Sequence, residues 1–404
     1  MGVSRGRWRA LLTVSLPAGA AAVLLLAGAL EVWVRVSWES RKGTPGFFLS
    51  DAIRGQRLAA GYDGWFAGVP VHINSLGLRV PRDYDLKKRS NTFRIRVLGD
   101  SVTFGHGSVY EHTYPYLTEQ RLEAWRPDID WQVWNAAVPG YNTSQELAYL
   151  LEVGDRFQPD LVVVGFFDND LSDNHPLPQP GRIRVAATRL LSFARRHVYS
   201  LEFYKQVYLT AVWRLSGSDD YRRRVEHLET EEGLLATASD LSGRPEQQLT
   251  SFERLTDEQV RRNVCRDGMR VNENSVRALE HDSRFQQWVD AVRGFQRLHQ
   301  AGRFRIMFFV NNAPPSCTVV EPAADFFYDG GSRLFDGLYL RILGEGTPAV
   351  SAYDAFLHTK PSQMPNAAGH SIGNANVIKA DVLFGFLREC ALPKLIQKSG
   401  QPSS

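Results

Sequence analysis

Between Ala10 and Leu30 the chain carries no charged side chain and is rich in Leu, Ala and Val. Roughly 20 such residues cross a bilayer as a helix, so the run predicts a membrane-spanning segment, placed at 10–34. Arg5, Arg7 and Arg9 precede it; by the positive-inside rule they hold residues 1–9 in the cytoplasm and send everything after Glu31 across. Trp33 and Trp38 fall where interfacial aromatics lie. The rival reading is a cleaved signal peptide, for which Ala27-Gly28-Ala29 offers a small-x-small site. Both readings place the main body outside the cytoplasm, on the periplasmic or cell-surface side.

Residues 35–92 show no sustained period and read as an irregular lead-in, with Gly and aromatics clustered in Gly61-Tyr62-Asp63-Gly64-Trp65-Phe66. From Phe93 strand and helix patterns alternate. Arg94–Leu98 is a β-rich run ending at Gly99, and Leu117, Leu122 and Trp125 fit one helix after Tyr114. Trp131–Trp134 reads as strand, Thr143–Phe157 as a helix capped by Thr143 or Ser144, and Leu161–Val164 as strand. That last run is apolar throughout, which suits a parallel strand covered on both faces. From about 176 to 282 the alternation stops in a charged, helical insertion, exemplified by Tyr221–Leu228. It resumes with a helix at Phe285–His299, a strand at Phe304–Val310, a weaker strand at Ala349–Tyr353 and a closing helix at Val377–Leu387. The expectation is an α/β domain at 93–390: three α/β/α layers around a five-stranded parallel sheet with right-handed crossovers. Residues 391–404 form a tail.

Composition adds little to this. Charged residues make up 23% of 404, which is ordinary for a globular chain, and a net charge of +3 gives no reason to expect a nucleic-acid partner. Cys265, Cys317 and Cys390 lack the close spacing of a zinc site. Neither a cofactor nor a metal is expected; Asp168, Asp170 and Asp173 read more plainly as loop hydrogen bonding and solvated charge than as a divalent-ion site.

The chemistry gathers at the ends of the first three strands. Gly99-Asp100-Ser101-Val102-Thr103-Phe104-Gly105 lies just past the first, where open α/β sheets put their ligands. A Ser in such a turn can project its hydroxyl beside helix-end amides; the plainer alternative is a helix cap. After the second strand comes Gly140, whose backbone amide can approach a ligand closely, and after the third Asn169, a side-chain donor. With the Ser101 amide these make three donors for an oxyanion. His106 and His112 follow the Ser turn, and for both a surface position is the plainer reading.

In these three blocks the chain resembles the SGNH/GDSL hydrolase family from about Phe93 to Leu387, the insertion excepted. Ser101 matches the nucleophile block, Gly140 the second and Asn169-Asp170 the third, although Phe167 stands where the family's third block has Gly. Asn74-Ser75-Leu76-Gly77-Leu78-Arg79, the apolar segment and the insertion are similar to membrane-tethered bacterial members. The resemblance implies a flavodoxin-like SGNH fold and a serine esterase acting on an acylated small molecule or envelope glycan. O-acyl transfer to a glycan and an inactive scaffold remain as alternatives. The family's last block, Asp-x-x-His-Pro-Asn-x-x-Gly-His, aligns with Pro361–His370, so Pro361 replaces the acid and Met364 the base. His370, the block's second and ordinarily structural His, is then the candidate base, with His358 and its possible partner Asp354 as the rival.

Overall fold

The computed structural model describes residues 16–37, 44–172, 174, 176–217, 271–314, 316–317, 326–327, 329–360, 363–364, 366–367 and 370–399. Cys265, Asp173, Pro361 and Tyr221–Leu228 lie outside the described residues.

The apolar run becomes helix α1, Leu16–Ser37, which is long and apolar enough to cross a membrane. The lead-in is more regular than its sequence predicts. Phe48–Asp51 (β1) pairs antiparallel with Gly55–Leu58 (β2), and Asp63–Phe66 (β3) with Val69–His72 (β4). These strands are too short for a period to show, and Gly55, Ala67 and Gly68 supply the positive φ values of their turns.

The central sheet is built from Thr92–Gly99 (β5), Asp130–Asn135 (β6), Leu161–Phe166 (β7), Ile306–Val310 (β8) and Ala349–Ser351 (β9). All pairings are parallel, in the order β6-β5-β7-β8-β9. This is the expected five-stranded α/β architecture, with one boundary moved: Tyr353 starts a short helix instead of ending the last strand. One face buries Leu98, Trp134, Val162, Val164 and Phe308 against helices that include Thr143–Phe157 and Ser283–Gln300. The other buries Ile95, Val97, Val163 and Phe309 with helices that include Tyr114–Trp125 and Asn374–Phe386. The helix after β6 is capped by Asn142, not by Thr143 or Ser144: the Asn142 side chain accepts from Gln145 N, and Gln145 returns a bond to Asn142 N. In the insertion, the described part contains helices Arg182–His197, Ser200–Ser216 and Glu273–Glu280, and helical structure at the chain's end runs on to Ser399.

The strand order reverses direction between β5 and β7, so the carboxyl ends of these two strands open a crevice. Gly99 and Gly165 face each other there. A Cβ on either would come within 2.1 and 2.3 Å of the Thr103 hydroxyl. Only paired glycines let the short helix after Ser101 sit down on the sheet edge. At the open edge, Glu119 is buried and accepts from Val133 N at 2.5 Å. Burial pushes its carboxyl up to about 7, against the pull of the Val133 amide and Arg82.

Two outcomes are expected. Gly165→Ala should lower stability by about 1–3 kcal/mol through overpacking, read as a lower midpoint in thermal unfolding in detergent. Because the folded pKa of Glu119 lies above its ordinary 4.5, the stability it contributes is whole below pH 4.5 and is lost as pH rises through about 7. Glu119→Gln should therefore flatten the fall in stability across that window in chemical denaturation; an unchanged slope would assign the fall to other groups.

Candidate active site

The turn after β5 runs directly into a four-residue helix, Ser101–Phe104. Asp100 caps it by accepting from Val102 N at 2.9 Å, and the Asp100 carboxylate also accepts from Asn169 Nδ2 at 3.1 Å and lies 3.4 Å from Ser101 Oγ. One buried carboxylate thus joins the first and third sequence blocks. Burial pushes this carboxyl up, opposed by the Asn169 and Val102 bonds and by the charge of His370. The second block is joined through the backbone: Val138 N donates to Gly99 O at 3.0 Å. Gly140 then occupies the third position of a Val138–Tyr141 turn closed by Tyr141 N to Val138 O at 3.0 Å, with φ of 76°, the left-handed conformation that a Pro-Gly type II turn requires.

His370 comes from the far end of the sequence. Asn366–Ala367 and His370–Ser371 pair antiparallel, and the His370 Nε2 sits 2.7 Å from Ser101 Oγ. Met364, aligned with the family's base, is buried in the apolar core on the same side as Phe309 and Leu161. His358 is exposed, and Asp354 is paired with Arg333 at 2.7 Å, so the structure brings His370 and not this pair to the Ser turn.

His106 corrects the surface expectation. It is buried, its ring stacks on His370 with centroids 4.3 Å apart, and Phe66 of β3 packs edge-on against it at 5.1 Å. His112 is half-buried in the turn Tyr110–His112. Behind the Ser turn, Glu146 and Asp170 are buried carboxyls. Burial and then Asp100 push Glu146 up, whereas burial and then Glu146 push Asp170 up; Asp170 accepts from Thr143 Oγ1 at 3.2 Å. Burial draws the nearby Lys379 amine down to about 8, against the charge of Asp100. Among the described residues no group of three His, Cys, Asp or Glu side chains is placed to hold a metal ion.

Residues 97–249 match the family model for GDSL-like lipases/acylhydrolases. Over this span the chain is similar to the SGNH/GDSL hydrolase family. The chemistry that goes with this family is acyl-ester hydrolysis. Among solved structures the chain is similar to a GDSL-like lipase of Bacteroides thetaiotaomicron (8% identity, 74% of this chain and 89% of that one covered, TM-score 0.31). It is also similar to the lipase Lip_vut3 from a goat rumen metagenome (13% identity, 72% and 96% covered, TM-score 0.31). No curated protein matches it. The matched span ends before His370, so the imidazole beside Ser101 is located by tertiary structure.

The sequence motif Asn74–Arg79 proves to be a support for the Ser turn. Asn74 Oδ1 accepts from the Leu76 and Leu78 amides at 3.0 Å each, shaping the loop that delivers Arg79. The buried Arg79 guanidinium donates to Phe104 O at 2.5 Å, Gly105 O at 2.8 Å and Ser108 O, and lies 4.3 Å over the Phe104 ring. It thereby satisfies carbonyls that the short helix leaves unpaired at its end. The motif was visible in sequence, but its target was not.

A lysine keeps the charge and loses the planar fork. Arg79→Lys should therefore cost about 3 kcal/mol of stability, with ester hydrolysis lost at a lower temperature than in the parent. Identical thermal profiles would mean that Arg79 does not hold the turn.

Proposed function

We propose that the chain is a serine esterase, with its SGNH-type domain at 93–390, that cleaves ester-linked acyl groups through an acyl-enzyme on Ser101. The observation that carries this reading is the 2.7 Å contact between His370 Nε2 and Ser101 Oγ, a geometry suited to direct proton transfer. His370 takes the hydroxyl proton as Ser101 Oγ attacks the ester carbonyl. The Ser101 and Gly140 amides and the Asn169 side chain receive the charge on the carbonyl oxygen, Asn169 being held in place by Asp100. His370 then returns its proton to the departing alcohol, leaving the acyl group on Ser101. Activation of water by the same imidazole completes hydrolysis; a sugar hydroxyl taking the place of water would give transfer by the same first half-reaction.

The stacked His106 ring and Asp100 act as positioning groups: the first limits rotation of His370, and the second places a buried carboxyl where the charge of His370 is felt. We assign the substrate to acylated envelope glycans. Helix α1, with Arg5, Arg7 and Arg9 before it, serves as a single-pass anchor and puts the active site outside the cytoplasm.

Ser101→Ala should abolish release of acetate from a model aryl ester and eliminate labelling by a fluorophosphonate. His370→Gln should lower kcat by about 10⁶ with KM little changed, whereas His358→Gln should leave the rate intact. Equal rates for parent and Ser101→Ala would sink the mechanism, and undiminished turnover in His370→Gln would move the base elsewhere.

A further inference from the structure

Helix α6, Arg182–His197, wears its amphipathic pattern inside out. It packs on β1, yet the positions turned toward the protein are Val185, Thr188 and Ser192, at i, i+3 and i+7, and Ser192 Oγ donates to Ser50 O at 2.9 Å. The apolar stripe points away. Ile183, Leu190 and Phe193 are 88%, 71% and 63% exposed, and Ala186, Ala187 and Ala194 fill the spaces between them at helical spacing. A helix packed on a globular body ordinarily does the reverse. A continuous apolar face left in water marks a surface that something else covers.

Two observations identify the cover as lipid. First, the helix contains no acidic residue, and its arginines flank the stripe, Arg182 and Arg189 on one side and Arg184 on the other. Basic side chains bordering an apolar face are suited to lying in an anionic interface, with their stems along the acyl boundary and their charges at headgroup level. Second, the helix ends at the anchor. Arg35 of α1 donates from Nη2 to His197 O at 2.6 Å, and the Glu31 carboxylate accepts from Tyr199 N and Ser200 N at 2.9 Å each. The Arg35 guanidinium lies 4.3 Å over the Tyr199 ring, and Trp33 meets Phe203 at 5.7 Å. The exit of α1 from its apolar segment and the end of α6 are therefore one packed unit.

We infer that α6 lies in the interface of an anionic bilayer with Ile183, Leu190 and Phe193 facing the acyl chains, docking the esterase body against the membrane from which α1 emerges. The inference rests on the anchored reading of α1. It makes the anchor more than a tether: β1 seats on α6 and pairs with β2, and β2 reaches the active-site loop through Gln56 Nε2 to Pro139 O at 2.7 Å, so the docked helix sets how the catalytic crevice is presented to material at the membrane surface.

The test uses the full chain with Cys265, Cys317 and Cys390 replaced by Ser and one new cysteine carrying an environment-sensitive fluorophore, in vesicles of phosphatidylcholine with or without phosphatidylglycerol. Leu190→Cys is the probe of α6, Leu24→Cys of the anchor, and Gln120→Cys, on an exposed face of the body, the water control. Ester hydrolysis checks that each labelled chain is folded. A label on α6, buried roughly 5–10 Å into the interface, should lose about half its emission to shallow lipid quenchers in anionic vesicles, while the label at Gln120→Cys is unaffected. Quenching at Leu24→Cys with a water-like signal at Leu190→Cys overturns the docking and leaves the anchor standing. Water-like signals at both positions overturn the two together, and a membrane signal at Leu190→Cys with a water-like one at Leu24→Cys overturns the inference as well, because the docking is argued from an anchored α1. A second measurement uses the unaltered chain: trypsin cleavage after Arg184 and Arg189 should slow about tenfold in anionic relative to neutral vesicles, and unprotected cutting in both overturns the inference.

Discussion

The Ser turn depends on a steric constraint at the carboxyl edge of the sheet, where β5 and β7 end in facing glycines and Thr103 rests on both. Tyr114 and Asn311 fix the Thr103 hydroxyl from the sides, at 3.0 and 3.5 Å. Because the two backbones approach with no Cβ between them and the helix, Asp100 is carried below the surface and Ser101 is left at the mouth of the crevice. A buried carboxylate is costly without partners, and the partners it finds, the Val102 amide and Asn169, belong to the machinery of the site. The requirement to satisfy Asp100 is thus also what sets Asn169 beside Ser101.

Support for this turn comes largely from outside the sheet. Arg79 holds its carbonyls, and Phe66 of the second hairpin backs His106, which stacks on His370. Gln56 and Tyr141 bind the first hairpin to the Gly140 turn, with Tyr141 OH donating to Gln56 O at 2.7 Å. Residues 44–80, which carry none of the proposed catalytic groups, therefore act as the outer wall of the site. The first hairpin seats on α6 through β1, so the wall is continuous with the helix that meets α1.

The alignment read from the sequence sets Pro361 and Met364 against the acid and base of the resembled family, and Ser101 is nonetheless met by an imidazole. Met364 has become a core residue, a role its flexible, polarisable side chain fills readily. The imidazole arrives instead from a two-stranded hairpin six residues later, and its neighbours are the stacked His106 ring and the buried Asp100.

Local pattern alone determined the apolar α1, the five parallel strands and the order in which Ser101, Gly140 and Asn169 follow three of them, because each rests on periodicity or turn chemistry within a few residues. The two hairpins of the lead-in were illegible for the converse reason: four-residue strands are too short to show a period, and their stability comes from packing on Phe104, Val138 and Tyr141. The choice of His370 over His358 lay beyond local reading, since it turns on a contact across 269 residues of chain. So did the burial of His106 and the reach of Arg79, where charge and polarity argue for solvent and only a shared tertiary partner makes the interior favourable. The Arg182–His197 periodicity is plain in the sequence, but which face looks inward was decided by β1: a helix pattern specifies a stripe, and only the packed neighbour says whether that stripe meets protein or the world outside it.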